Sequence, residues 1–210
     1  MTPRLRRTLI WSGVAAAFVL PIGFTIASPY MAYRDAVYVM GGFSGVVALA
    51  LLLPQALLIA GLLPLSAPGA RRLHRWTGGA LAALVGLHIL GLWLTSPQDM
   101  ADALLLRAPT LFSLWGVFAL WALVAITGLA LFRRRIAPRH WRLLHGTLAA
   151  VFVAGSLAHA MPIIGTMEPI TKAMLCLLVA LATTLALLRR LRPGPWGAIT
   201  GQGKARQADE

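Results

Sequence analysis

Six stretches of this chain are apolar for about 20 residues or more, the length a helix needs to cross the hydrocarbon of a bilayer. Nothing else in the sequence constrains the fold as hard. Hydrocarbon offers no water to the backbone, so each run must satisfy its own N–H and C=O groups as a helix. The runs fall at about residues 8–27, 36–63, 73–94, 110–132, 140–161 and 170–188. The sequence therefore predicts an all-α integral membrane protein, a six-helix bundle over residues 8–190. Residues 1–7 precede it, and a Gly/Pro-rich polar tail, 191–210, reads as disordered. Only 12% of the 210 residues are charged, against about 25% in soluble domains, which argues against a separate soluble domain.

Within this frame the runs differ. The first contains Pro21 and Gly23, which predict a bend. Its basic start and its end at Ala27-Ser28 also resemble a secretory signal, although the apolar run is long for one. The second contains Pro54 and Gln55 and is long enough to tilt or kink. The connection from Thr95 to Pro109 carries Asp99 and Asp102 and accommodates a short interfacial helix. Cys176, the single cysteine, makes no intrachain disulfide and carries no compartment signal.

The net charge of +13 raises the question of nucleic acid, but the charge lies at the ends of apolar runs, where it reports topology. The N-terminus, the second and fourth loops and the C-terminus hold sixteen Arg and Lys, and the other three loops hold three. By the positive-inside rule both termini are cytoplasmic. The expected location is a bacterial inner membrane, with lipid as the solvent and no nucleic-acid partner. Trp11, Trp76, Trp93, Trp141 and Trp196 fall near the expected boundaries, as interfacial aromatics do.

Against this apolar background stand two echoing stretches. His74 is followed by His88, and His145 by His159. Fourteen residues put each pair on one helix face, about 21 Å apart along the axis, too far for one metal ion. The third and fifth spans run in the same direction, so His74 lies at the depth of His145, and His88 at the depth of His159. Unpartnered imidazole is costly in hydrocarbon, and such residues mark a functional interior. Zinc asks for three or four ligands together, and a proton relay asks for carboxylates at depth. Neither is present in the spans. Haem b needs two axial ligands on opposite sides of a flat ring, and two facing helices supply that twice. Gly78, Gly79, Gly86, Gly91, Gly146 and Gly155 leave room for a porphyrin or serve close helix packing. Arg71, Arg72, Arg75 and Arg142 lie where they would pair with the propionates of an inner haem or simply anchor the helix ends. His140 reads as interfacial, not as a ligand. Phe152 lies seven residues from both His145 and His159, between two haems or in ordinary packing.

The phrase Leu73-His74-Arg75-Trp76-x-Gly78 with Leu87-His88, and Trp141-Arg142-Leu143-Leu144-His145 with Ala158-His159, resemble the two haem helices of the ferric reductase-like transmembrane domain superfamily. The resemblance covers roughly residues 36–190. It implies stacked b haems in a six-helix bundle, with His74 and His145 on the inner iron, His88 and His159 on the outer iron, and Arg75 and Arg142 beside the cofactor. Many members space the second pair by thirteen residues, where this chain has fourteen. No Gly-rich phosphate loop is present. The expected donor is a separate cytoplasmic flavin reductase carrying FMN or FAD, or a quinol, as with the bacterial haem subunit of the periplasmic methionine sulfoxide reductase system. The expected acceptor is periplasmic. Two alternatives stand beside this expectation: a metalloreductase acting directly on ferric or cupric chelates, and a non-redox transporter or assembly factor.

Overall fold

The computed structural model describes residues 1–29 and 33–191. Helices account for almost all of them: α1 (Pro3–Ile26), α2 (Ala36–Ala60), α3 (Ala67–Thr95), the short α4 (Pro97–Leu104), α5 (Leu111–Leu131), α6 (Pro138–Ala160) and α7 (Pro169–Leu191), with a 3-10 turn at Arg133–Arg135 between α5 and α6. All but α4 are long and apolar enough to cross a membrane, so the chain is a multi-pass membrane protein. The tail expected to be disordered lies outside the described residues, except Leu191, which is helical.

The helices outrun the apolar stretches that announce them. α3 begins at Ala67 rather than near residue 73, because the Ser66 hydroxyl accepts the Gly69 N–H and Pro68 suits the first turn. Arg71, Arg72 and Arg75 thus ride on the helix. Hydropathy marks where lipid begins, whereas caps mark where helix begins. At the other extreme, α2 stops at Ala60, short of residue 63. Gly61 takes the left-handed conformation at φ 66°, and Leu62 and Gly61 donate back to Leu57 and Leu58.

α2 packs along α3, and α5 along α6; α7 lies across α2 and reaches α6, and α1 rests on α2 and α7. The core joins Val46, Leu49, Ala50 and Leu53 of α2 to Leu81, Leu123, Phe152, Leu175 and Val179. Arg189 donates to the Ala60 carbonyl at one end, and Ser28 to the Gly165 carbonyl at the other.

The two helix pairs are copies of one plan. His145 and His159 follow His74 and His88 by 71 residues. The same offset relates Gly45-Val46-Val47-Ala48-Leu49 to Gly116-Val117-Phe118-Ala119-Leu120, and Arg71-x-Leu73-His74 to Arg142-x-Leu144-His145. It also relates the ends of α2 and α5 and the starts of α3 and α6. Burial follows the plan: Val46 and Val117 are both buried, as are Ala48 and Ala119, and Leu81 and Phe152.

The pairs close on contacts without room for a side chain. A Cβ on Gly91 of α3 would lie 2.7 Å from the Gly41 Cα of α2, and backbone cannot swing aside as a side chain can. Gly91→Ala is expected to cost about 1–3 kcal/mol through overpacking, read as a lower thermal midpoint in detergent. Gly13→Ala, where a Cβ meets nothing within 4 Å, should hold or raise that midpoint.

Candidate functional site

α3 and α6 face each other without packing backbone to backbone. Of the 29 residues of α3 only Leu81 and Gly91 are buried, and of the 23 of α6 only Gly146, Phe152 and Gly155. Two histidine pairs bridge this slot. The rings of His74 and His145 have centroids 6.2 Å apart, and those of His88 and His159 6.4 Å, each pair near perpendicular. Two imidazoles that bind one metal ion from opposite sides through Nε2, each at about 2 Å, place their centroids about 6 Å apart. Both pairs meet that spacing. Among the described residues no group of three or more His, Cys, Asp or Glu gathers, so each site offers two nitrogens. The fourteen-residue spacing shared by the two helices leaves both facing distances nearly equal.

The mounting of the His88/His159 pair also fits a ligand role. His88 Nδ1 lies 2.9 Å from the Gly41 carbonyl of α2, and His159 Nδ1 lies 2.9 Å from the Phe112 carbonyl of α5. A carbonyl can only accept, so Nδ1 carries the proton in both rings and Nε2 keeps its lone pair. A ligating histidine is oriented by this kind of bond through its other nitrogen.

The notch that admits each ring is a glycine. In α2 the Gly41 carbonyl also accepts the Ser44 hydroxyl at 2.7 Å, so His88 shares its acceptor with that side chain. A Cβ on Gly45 would lie 2.8 Å from His88 Nδ1, and one on Gly116 would lie 2.7 Å from His159 Nδ1. Only glycine at these positions lets the imidazole reach the carbonyl one turn back. Gly45, Gly116 and Phe112 are absent from the sequence-level candidates; the 71-residue offset is the signal that would have found them. Of the six glycines that were named, Gly79 and Gly86 face open space, whereas Gly91 and Gly155 touch neighbouring backbone. Gly78 lies against Gln55, whose amide donates to the His74 carbonyl, and Gly146 is buried.

The other sequence candidates are placed plainly. Arg75 and Arg142 are both exposed at the His74/His145 end. The repeat pairs Arg142 with Arg71 and gives Arg75 a glycine counterpart, Gly146. His140 is exposed, in keeping with an interfacial residue. Phe152 and its counterpart Leu81 are 8% and 3% exposed and fill the layer between the two pairs.

A further residue emerges from the fold. Lys172, in the first turn of α7, is only 7% exposed. Its Nζ donates to the carbonyls of Met161 at 3.0 Å and Ile163 at 2.5 Å, just past His159. It thereby satisfies carbonyls at the C-terminal end of α6 and holds the connection that follows His159. Glu168 caps α7 through the N–H groups of Thr171 and Ile170, and these bonds hold its carboxyl below the usual carboxylate range.

Lys172→Met leaves two carbonyls unmet, at about 1–3 kcal/mol each. Amide exchange across residues 161–167 should speed up by about tenfold or more. The Glu168 pKa is depressed in the fold, so its stabilisation is present above the unfolded carboxylate range and is lost as pH falls through the folded value. Glu168→Gln should narrow the stability difference between pH 7 and pH 3, read by thermal unfolding at each pH.

The comparison with known proteins gives one match. A family model described as ferric reductase like transmembrane component matches residues 44–156. No curated protein and no solved structure matches. The matched segment takes in most of α2, all of α3 and α5 and most of α6, and with them three of the four facing histidines and the helices that hold them. The chain belongs to the ferric reductase-like transmembrane component family.

Proposed function

We propose that this chain is a di-haem b electron-transfer subunit of a bacterial inner membrane. It would take electrons from a cytoplasmic flavoprotein or quinol and deliver them to a periplasmic acceptor. The observation that carries this proposal is the pair of histidine pairs, each spaced for one metal ion between two nitrogens and stacked fourteen residues apart. A haem b held by two imidazoles supplies a one-electron carrier.

The residues have separate tasks. His74 and His145 hold one iron and His88 and His159 the other. The Gly41 and Phe112 carbonyls fix the ring orientation of His88 and His159. Arg142, its counterpart Arg71, and Arg75 offer cations to carboxylates of the cofactor at the basic end. Phe152 and Leu81 exclude water from the layer between the sites. The sixteen-to-three division of Arg and Lys supports a cytoplasmic His74/His145 end. The same basic surface suits an acidic donor protein carrying FMN or FAD.

The family's own description favours a second use of the same site, direct reduction of ferric chelates at the His88/His159 end. Ferric reduction by membranes given a donor but no periplasmic protein would establish it.

The deciding measurement is a reduced-minus-oxidised spectrum with a haem-to-protein ratio on detergent-purified protein. Low-spin b-type bands and about two haems per chain are expected. His159→Ala should remove one set of bands and leave the other, and His145→Ala should remove the complementary set. Folded protein made with haem available that binds none would overturn the proposal and favour a transporter or assembly role.

A further inference from the structure

The two histidine sites are not equivalent in what lies behind them. On α6 the indole of Trp141 stacks on the His145 ring, with centroids 5.0 Å apart and planes 15° from parallel. The guanidinium of Arg133 lies over the same indole, 5.3 Å from its centroid. Arg133 belongs to the exposed turn Arg133–Arg135. A continuous stack thus runs from a basic surface through a half-buried indole to one imidazole of the inner pair. The repeat has no second such stack, because the counterpart of Trp141 on α3 is Ala70.

An interfacial tryptophan anchors a helix by lying among headgroups. Trp76 and Trp93 suit that task, at 71% and 44% exposed. Trp141 instead lies flat on a histidine with a cation over its ring, a geometry that anchoring does not require.

We propose that Trp141 is the electron-entry residue of the protein, and that Arg133 holds its ring in register with His145. This rests on the electron-transfer role proposed above. One electron leaves a reduced flavin at the basic surface, and the flavin yields a proton to solvent. The electron tunnels through the stacked rings to the His74/His145 site. No bond of the indole forms or breaks, and the indole is neither oxidised nor reduced. Entry is thereby confined to the α6 side, beside the Arg133–Arg135 turn.

The test is stopped-flow reduction of haem-loaded protein by chemically reduced FMN, followed in the b-type bands, together with the low-temperature electron spin resonance of the oxidised protein. Trp141→Leu should keep both low-spin signals and slow reduction at least tenfold, whereas Trp141→Phe should recover most of the rate. Trp76→Leu, which removes an equally large, exposed ring two residues along α3 from His74, should match the wild type. An unchanged rate in Trp141→Leu, or equal slowing in Trp76→Leu, overturns the proposal. Loss of the inner low-spin signal in both Trp141 variants makes the ring a structural support and also overturns it. A wild-type protein without low-spin signals refutes the electron-transfer role itself, a separate result.

Discussion

An imidazole inside an apolar bundle must find an acceptor for its N–H, and the rest of this structure follows from where it finds one. His88 and His159 each use a backbone carbonyl on a neighbouring helix. That carbonyl is already engaged in its own helix, and the side chain one turn on would normally cover it. Glycine at 45 and at 116 uncovers it. The ring's seat then dictates that α2 lie against α3 and α5 against α6, closely enough for Gly41 to touch Gly91 and Gly155 to touch Trp115. Once the rings are tethered from behind, their free nitrogens face across the slot between α3 and α6.

Most of the architecture was legible in the sequence because hydrocarbon leaves a chain few choices. The six spans, the short helix over 97–104 and the equal depth of the paired histidines follow from length, direction and a period of 3.6 residues. The helix ends were less legible, since caps such as Ser66 and Gly61 act independently of hydropathy. Gly45, Gly116 and Lys172 were missed for a different reason. Gly45 and Gly116 make room for histidine rings from a neighbouring helix, and Lys172 bonds backbone carbonyls, contacts that only the fold brings together. Phe112 acts through its peptide oxygen, so its side chain carries no hint of the role.

The two halves of the repeat have diverged unevenly. Gly45 and Gly116, which seat the histidines, are shared, as are Arg71 and Arg142. Ala70 and Trp141, beside those arginines, are not. α2 is covered by α7, whereas on α5 Trp115, Phe118 and Trp121 are each about half exposed. One half of the plan thus faces the protein and the other faces its surroundings.

The division of each site between the halves also orders the protein's assembly. Every pair takes one histidine from α3 and one from α6. As the chain is synthesised and inserted, neither pair exists until His145 and then His159 have emerged and α6 has folded beside α5. The first half alone carries two seats without their opposing partners. Completion comes late and at both depths nearly together, so the full arrangement of the four rings is a property of the finished bundle and of no earlier intermediate.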